Sequence, residues 1–438
     1  MCLQLLISLS SAADLKPEDK VAQLKDDCFA HGDALTPLDK ALNELTENLA
    51  SVVDVETTPL MEALGRILAE DIDAPRNVPP HDNSAVDGYV VFFEDLQTEG
   101  ETRLPVTGRI AAGHPLQKTA SRGEALRIFT GAQMPEGPDT VFMQEDVRLE
   151  DDHVILPAGI KRGANRRFMG EDIKAGSTIL TAGKRLRPQE IGLAASVGYD
   201  RVKVYSRLKT AVFSTGDEVR DPSDEAPEGC IFDSNRFNVM GLLRRLGADV
   251  TDLGILPDDE DTIRDSLSRA AEDHDILITS GGVSLGEEDH VKAAVESLGS
   301  LHFWRLAIKP GRPIALGQVG KTAFVGLPGN PVAAMVTFMR IARPLILVLS
   351  GARDAEPVLF KVPAGFSSSK KPGRREWLRA SLKTDDDGVT RVYQYPAGGS
   401  GVLTSMVASD GLIELPEDVT RINEGEPVDF LPFSEVCP

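Results

Sequence analysis

The stretch from Thr279 to His290, TSGGVSLGEEDH, combines residue types that bind phosphate with residue types that bind metal ions. It follows an apolar run typical of a buried parallel strand, and it precedes a helical pattern. Gly281 and Gly282 allow backbone N–H groups to approach a ligand closely, and the start of a helix favours an anion. We therefore predict a loop that binds a phosphorylated ligand through Ser280, Gly281, Gly282 and Ser284.

Acidic residues follow three strands of the same predicted sheet. Glu218 lies in STGDE, Asp258 in LPDDED and Asp289 at the end of the glycine loop. Because the carboxyl ends of parallel strands meet at one edge of a sheet, we expect these carboxylates to converge. Magnesium is typically held by one or two carboxylates together with phosphate oxygens. The three acids therefore predict a Mg²⁺ site, although Glu218 taken alone also fits an acid that stabilises a helix N-terminus.

A group of basic residues lies in RLAIKPGRP, where Arg305 and Lys309 alternate in a strand pattern and Arg312 follows a turn. The spacing predicts that Arg305 and Lys309 share one face of a strand. Two cations on such a face suit a tetrahedral oxyanion or a pterin phosphate. A solvated edge strand is the alternative, since lysine on an edge prevents aggregation.

Two further motifs fit either a structural or a functional role. DNSAVDGY, from Asp82 to Tyr89, has two carboxylates around an Asn-Ser turn, and Asp and Asn are common turn residues. LPGNP, which contains Pro328 and Gly329, precedes a predicted helix with Asn330 as its N-cap and Pro331 at its first position. That capping role explains LPGNP by itself, and the alternative is that Pro328 and Gly329 bind the substrate.

The composition excludes several classes of protein. The 438 residues carry a net charge of −21, which argues against binding of nucleic acid or of an anionic membrane. An anionic substrate must therefore be held by a local cluster of Lys and Arg. The four cysteines are scattered without a CxxC pair, so we expect reduced thiols in a cytoplasmic protein rather than disulfides or zinc. The seven histidines show no HxH or HExxH spacing.

The pattern of elements predicts an α/β multidomain protein. Residues 207–350 alternate strands and helices, which indicates right-handed crossovers and a central parallel sheet. Short segments broken by Gly and Pro predict a small β-rich unit at 82–157, and residues 351–438 indicate a terminal β domain, barrel-like or a sandwich. Residues 36–81 plus 158–206 are mixed, with one helix predicted near Pro59 to Leu68, and residues 1–35 form a loosely ordered leader.

The motifs taken in order resemble the molybdopterin molybdenumtransferase family of the MoeA type, which is similar to the C-terminal domain of gephyrin. The resemblance rests on DNSAVDGY, RIFTGAQMPEGPDTV, GEDIKAG, STGDEV, DSNR, LGILPDDED, TSGGVSLGEEDH, LAIKPGRP and LPGNPV. It covers about residues 35–438. The chain departs from the family at three positions, with Arg305 where Lys is frequent, Val86 where Met is usual and His290 where Tyr is usual.

The resemblance implies an activity and its residues. The implied subunit is elongated, with a C-terminal β-barrel-like domain, and dimerises, residues 36–81 plus 158–206 forming the linking and dimerisation region. The implied reaction inserts molybdenum from molybdate into adenylylated molybdopterin with Mg²⁺ and releases AMP. Contacts with a molybdopterin adenylyltransferase and with molybdoenzymes would follow. The family's functional positions fall on Asp87, Thr130, Asp172, Glu218, Asp258, Asp289 and Lys309, with Arg374 and Ser400 as candidates for oxyanion binding.

Two other functions remain open at this point. A gephyrin-like scaffold would keep the fold without the chemistry, but it would not need to retain Asp87, Glu218, Asp258, Asp289 and Lys309. A molybdopterin adenylyltransferase would share the glycine-loop domain, but its chain would lack the β units on either side.

Overall fold

The structure, a computed structural model, describes residues 35–282, 290–311 and 313–436. The predicted leader before Leu35 lies outside these residues. So do Ser284 and Asp289 of the glycine loop, Arg312, and the side chain of Arg305.

The first half of the described chain is mostly short strands. Residues 36–81 form helix α1 (Leu38–Asn48), strands β1 (Val55–Pro59) and β2 (Ile72–Asp73), and a 3-10 turn at Leu60–Ala63. Residues 82–157 form β3 (Asn83–Ser84), β4 (Gly88–Val91), β5 (Glu101–Ile110), β6 (Ala125–Ile128), β7 (Thr140–Met143), β8 (Arg148–Glu150) and β9 (His153–Pro157), with 3-10 turns at Phe93–Asp95 and Gln144–Asp146. Residues 158–206 form β10 (Arg166–Arg167), β11 (Thr178–Leu180), α2 (Pro188–Ser196) and β12 (Arg201–Tyr205).

The second half alternates strands and helices before it returns to strands. Residues 207–350 form β13 (Lys209–Thr215), β14 (Val219–Arg220), β15 (Ile231–Phe232), α3 (Asn235–Leu246), β16 (Asp249–Leu256), α4 (Glu260–Asp273), β17 (Ile276–Ser280), α5 (His290–Leu298), β18 (Gly299–Arg305), β19 (Ile308–Lys309), β20 (Pro313–Val319), β21 (Thr322–Leu327), α6 (Pro331–Thr337), a π-helical segment (Phe338–Ala342) and α7 (Arg343–Leu349). The remainder forms β22 (Phe360–Pro363), β23 (Ser368–Ser369), β24 (Arg375–Thr384), β25 (Thr390–Gln394), α8 (Thr404–Val407), β26 (Gly411–Leu415), β27 (Arg421–Ile422), β28 (Pro427–Pro432) and α9 (Phe433–Val436).

The central sheet has the strand order β16-β13-β17-β21-β20-β18, and its first four strands are parallel. Strand β17 is buried throughout because helices cover both faces of the sheet. Ile276 and Ile278 pack into a cluster that includes residues of α3 and α6, whereas Leu277 packs with α4 and α5. The predicted α/β class is therefore confirmed.

The last two strands of this sheet run antiparallel to their neighbours, so the sheet is mixed rather than all-parallel. Only Gly320 and Lys321 separate β20 from β21, and a two-residue link permits a hairpin but no crossover.

Two other six-stranded sheets lie outside the central one. One has the order β7-β4-β6-β5-β9-β8, and the other has the order β19-β24-β26-β28-β22 with β25 paired to β24. Strands β24 and β25 pair antiparallel as a hairpin. The helix predicted near Pro59 to Leu68 is wrong, because the 3-10 turn ends before Gly65, whose φ of 77° is left-handed, and Leu68 then bridges to Val204.

Within the described residues, one helical stretch, Pro331–Leu349, is long and apolar enough to cross a membrane. In this fold 89% of its most apolar window is buried, as expected of a core helix in a globular protein. Cys230 is a free thiol, and the other three cysteines lie outside the described residues.

Candidate functional site

The four parallel strands of the central sheet end at the same level. Ser214 of β13 is opposite Ser280 of β17, Ser280 is opposite Leu327 of β21, and Thr215 is opposite Leu256 of β16. The loops that begin at residues 216, 257, 281 and 328 therefore leave the sheet side by side. The sequence prediction that these loops share one edge is confirmed.

The glycine loop begins with a buried hydroxyl and two left-handed glycines. Ser280 donates a hydrogen bond from Oγ to the carbonyl oxygen of Pro328 at 3.0 Å. Gly281 and Gly282 have φ of 91° and 64°, and a Cβ on Gly282 would lie 2.4 Å from Oγ1 of Thr215. Glycine is therefore required at residue 282. The N–H of Gly281 donates to the carbonyl oxygen of Leu327 at 3.1 Å, so it is not free for a ligand as the sequence predicted.

Asn235 joins the glycine loop to the loop that contains Gly329. Its Nδ2 donates to Oγ of Ser280 at 2.8 Å and to the carbonyl oxygen of Gly329 at 2.7 Å. The side chain is buried, and its Oδ1 has no hydrogen-bond partner among the described residues. Asn235 was not predicted as a site residue, although it lies within the DSNR motif, and it fixes the distance between Ser280 and Gly329.

Three acids follow strands at this edge, and only one of them has a structural role. Asp259 is the N-cap of α4, and hydrogen bonds from the hydroxyl and the N–H of Thr262 lower the pKa of its carboxyl. Glu218 and Asp258 are exposed, and no described residue binds either carboxylate. Both follow neighbouring strands, β13 and β16.

These acids fit a magnesium ion only in one way. Among residues 35–282, 290–311 and 313–436, no three His, Cys, Asp or Glu side chains form a group that could hold a metal. Two free carboxylates with phosphate oxygens from a substrate are nevertheless a normal donor set for Mg²⁺. Glu218 and Asp258 therefore fit an ion that binds together with a phosphorylated ligand, and the predicted third ligand, Asp289, lies outside the described residues.

Lys309 lies in a different sheet from Arg305, which corrects the predicted shared strand. Strand β18 ends at Arg305 in the central sheet, whereas Lys309 pairs in parallel with Glu376 of β24. Residues 306–308 are buried and carry the chain from one sheet to the other. The alternation of charge in RLAIKPGRP is therefore interrupted by a change of sheet that periodicity does not reveal.

A cavity of about 330 Å³ lies between Lys309 and the C-terminal sheet. Nζ of Lys309 is 3.1 Å from Oε2 of Glu376, the one acid among the described lining residues. Ser400 also lines this cavity, and Arg374 lines a second cavity of about 480 Å³ that shares Lys309 and Glu376. Other basic residues that the sequence did not single out complete the lining: Lys370, Arg379 and Arg421.

The cavity adjoins the loop at Pro328, and the helix that follows it, through two contacts. A Cβ on Gly311 would lie 3.6 Å from Cγ of Pro328, so the turn after Lys309 packs on the loop that binds Ser280. The N–H of Val332 donates to the carbonyl oxygen of Ser400 at 3.0 Å. The structure thus brings Ser280, Pro328, Gly329, Lys309 and Ser400 into one continuous region.

The predicted residues Asp87, Thr130 and Asp172 lie in another part of the chain. Oδ1 of Asp87 accepts hydrogen bonds from the N–H and from the hydroxyl of Thr130, both at 2.8 Å. These bonds lower the pKa of the Asp87 carboxyl. Asp172 is exposed, and its N–H donates to the carbonyl oxygen of Val78. Among the described residues, no hydrogen bond or ion pair connects these three residues to the region around Lys309.

Comparison with protein families gives three matches in sequence order. A profile described as the MoeA N-terminal region (domain I and II) matches residues 36–198. A profile described as a probable molybdopterin binding domain matches residues 211–347, and one described as the MoeA C-terminal region (domain IV) matches residues 361–433.

Individual relatives match over most of their length. A molybdopterin molybdenumtransferase of Haemophilus influenzae is 41% identical over 401 residues, which cover 91% of this chain and 99% of the relative. One of Nostoc is 36% identical, with 88% and 90% covered. The crystal structure of the molybdopterin biosynthesis moeA protein of Pyrococcus horikoshii aligns with a TM-score of 0.77 at 31% identity, covering 91% of this chain and all of that one.

Proposed function

We propose, because the chain belongs to the MoeA family of molybdopterin molybdenumtransferases, that it inserts molybdenum from molybdate into adenylylated molybdopterin and releases AMP. The observation that carries the proposal is the junction between the Lys309 cavity and the Ser280–Pro328 loops. It joins a basic cavity suited to an oxyanion to a loop suited to a phosphorylated pterin.

Molybdate would bind in the cavity through cations and a hydroxyl. Lys309 and Ser400 line it, and Arg374 lines the adjoining one. In a chain with a net charge of −21, this local excess of Lys and Arg overcomes the overall repulsion of an anion. Glu376 holds Lys309 by an ion pair, so Lys309 must be shared with, or released to, the incoming oxyanion.

The pterin phosphate would lie over the glycine loop. Gly282 leaves room for close approach of the backbone, and Asn235 keeps this loop and Gly329 at a fixed spacing. Glu218 and Asp258 would hold Mg²⁺ together with substrate phosphate oxygens. When bound, the ion would neutralise the phosphoanhydride and polarise it for cleavage.

A homodimer would explain why Asp87, Thr130 and Asp172 lie apart from the Lys309 region. Functional positions that no contact joins within one chain can be joined across a two-fold axis, where each subunit supplies part of the other's site. We propose that a second copy of the chain brings these residues to the glycine loop, in a cytoplasmic enzyme.

Two other functions are not favoured. A molybdopterin adenylyltransferase would not need the C-terminal region that matches at residues 361–433. A scaffold without activity would not need the free carboxylates of Glu218 and Asp258 or the basic cavity.

The proposal is tested by AMP release from adenylylated molybdopterin with Mg²⁺, with and without molybdate. We expect molybdate to stimulate AMP release and active molybdenum cofactor to form. Tight pterin binding without AMP release under both conditions would contradict the transferase and support the scaffold. ATP-dependent adenylylation of free molybdopterin would support the adenylyltransferase instead.

A further inference from the structure

Two arginines on neighbouring strands of the β-rich unit share one aromatic ring. Arg109 of β5 and Arg127 of β6 are directly opposite in a parallel ladder. The guanidinium carbon of Arg109 lies 4.7 Å from the ring centroid of Phe129, and that of Arg127 lies 5.0 Å from the same centroid. Arg127 also lies 4.9 Å from the ring of Tyr89, its antiparallel neighbour on β4.

This arrangement places two like charges side by side without an acid between them. Like charges at opposed positions of a sheet are destabilising. In the described part of the chain neither arginine pairs with a carboxylate, and Arg127 has only the amide oxygen of Gln144 as a side-chain acceptor. Two other arginines of the same unit are paired, Arg122 with Asp95 and Arg148 with Glu101. By contrast, Arg109 and Arg127 lie side by side with no carboxylate partner among the described residues, so both positive charges are available for a ligand.

The two arginines lie next to the Asp87–Thr130 pair. Phe129 immediately precedes Thr130, and Tyr89 is two residues after Asp87. After the hydrogen bonds from Thr130, the positive charge of Arg127 is a further cause of the lowered pKa of Asp87. Oδ2 of Asp87 accepts no hydrogen bond from a described residue, so one carboxylate oxygen is also available there.

We propose that Arg109 and Arg127, both stacked on the ring of Phe129, form a binding site for the phosphoanhydride group of a nucleotide-linked substrate. A guanidinium group can donate two parallel hydrogen bonds to phosphate oxygens. Stacking on an aromatic ring fixes the orientation of the guanidinium before the ligand arrives. This inference rests on the proposed function, in which the substrate carries a phosphoanhydride between the pterin and AMP. It adds two binding residues to a part of the chain where only Asp87 and Thr130 were expected.

The test is calorimetric titration of the full-length protein with inorganic pyrophosphate, with ADP and with adenosine. All proteins carry Lys309→Ala, which weakens anion binding in the Lys309 cavity, and any binding that remains there is common to every protein compared. We expect pyrophosphate and ADP to bind and adenosine not to bind. Each of Arg109→Gln and Arg127→Gln should weaken pyrophosphate binding roughly tenfold, the loss of one charged hydrogen-bonding partner. Arg127→Lys should weaken it less, because the charge remains.

The matched control is Arg148→Gln, which removes the same charge from strand β8 at the far edge of the same sheet and should leave pyrophosphate binding unchanged. Equal pyrophosphate affinity in the Arg109→Gln/Arg127→Gln double variant, or no binding before these changes, would overturn the inference. Molybdate-stimulated AMP release by the wild-type protein is measured separately. If the wild type releases AMP but pyrophosphate binding does not depend on Arg109 and Arg127, only this site is refuted. If the wild type releases no AMP in response to molybdate, the proposed function is refuted.

Discussion

Asp87 and Thr130 are joined by two hydrogen bonds at one end of the β-rich unit, although 43 residues separate them in the sequence. Asp87 immediately precedes β4, and Thr130 closely follows β6. Because Gly88 is opposite Ile128 in this antiparallel pair, both residues leave the sheet at the same end. Oδ1 of Asp87 accepts both bonds, which orients the carboxylate, while Oδ2 accepts no hydrogen bond from a described residue.

We expect Thr130→Val to raise the pKa of Asp87 towards its ordinary value, because the hydroxyl bond is lost while the N–H bond remains. A lowered pKa stabilises the folded state above the pKa of the unfolded chain, and this contribution disappears as pH falls through the folded value. The variant should therefore lose activity at a higher pH on the acid side. It should also lose a small part of this stabilisation at neutral pH, and the difference in stability from the wild type should vanish at low pH. Carboxyl NMR titration and a pH profile of AMP release would measure both effects.

Thr178→Val is the matched control, because it removes a similar bond from a threonine hydroxyl to Asp73 on another pair of strands. If the acid side of the pH profile of AMP release shifts equally in Thr130→Val and Thr178→Val, the effect is not specific to Asp87.

Complementation between variants tests whether two subunits share the site. Asp87→Asn should inactivate the homodimer, and Lys309→Ala should leave it with little activity when molybdate is kept below the half-maximal concentration of the wild type. In a shared site, a mixed dimer has one doubly altered site and one intact site, so co-expression should restore about a quarter of the wild-type AMP release. If both residues serve the same subunit's site, every site in the mixed dimer is altered and no activity returns. Light scattering of the wild-type protein would establish the dimer independently.

The fold was predictable where the pattern is strong and local. The apolar run in β17 and the strand–helix alternation identify a covered parallel sheet, and parallel register alone aligns Ser280, Leu256 and Leu327 at one edge. Prediction failed where a single residue changes the path of the chain. Gly65 ends a turn that resembles a helix in periodicity, and residues 306–308 move the chain between sheets within an alternating pattern.

The site was predictable as separate motifs but not as an arrangement. Asn235 contacts Ser280 and Gly329, which are 45 and 94 residues away, and no local spacing encodes these bonds. Glu376 contacts Lys309 from 67 residues away. The sequence around Glu376 predicts only a strand of the terminal sheet and no contact with Lys309. The domain boundaries and the roles of Arg374 and Ser400 stay predictions.

Lys309→Ala should weaken the use of molybdate more than the binding of the pterin. The side chain of Lys309 is exposed and lines the basic cavity, whereas Ser280 and Gly282 do not line it. We expect the molybdate concentration for half-maximal stimulation to rise about tenfold or more, as for loss of a charged hydrogen bond. Lys361→Ala is the control, because Lys361 is a similarly exposed lysine that pairs with Asp429 on the same sheet. Unchanged molybdate dependence would contradict the assignment of Lys309.

Asn235→Ala should separate the glycine loop from the loop at Gly329. The carbonyl oxygen of Gly329 and Oγ of Ser280 lose their shared donor, which should cost about 1–3 kcal/mol of stability. The KM for adenylylated molybdopterin should increase more than kcat falls, since the loops position the substrate. Asn238→Ala, on the same helix α3, is the control for loss of an amide there. A fall in kcat alone would point to a role in the chemical step instead.

Substitution of Arg375 tests whether its ion pairs hold helix α1 on the C-terminal sheet. Its guanidinium lies 2.7 Å from Asp39 of α1 and 3.1 Å from both Glu414 and Glu417. Arg375→Met removes one of the two arginines that pair with the buried Glu414 and leaves only Arg340, so we expect a loss of about 3 kcal/mol in the free energy of unfolding. Asp39→Asn changes only the exposed arm of the cluster and should cost less than about 1 kcal/mol. Arg375 lowers the pKa of Asp39, so this smaller contribution should disappear in the wild type as pH falls below about 4, and be absent at every pH in Asp39→Asn. Urea unfolding of both variants at neutral and acidic pH would measure this, and equal losses in the two variants would show that the buried arm adds nothing.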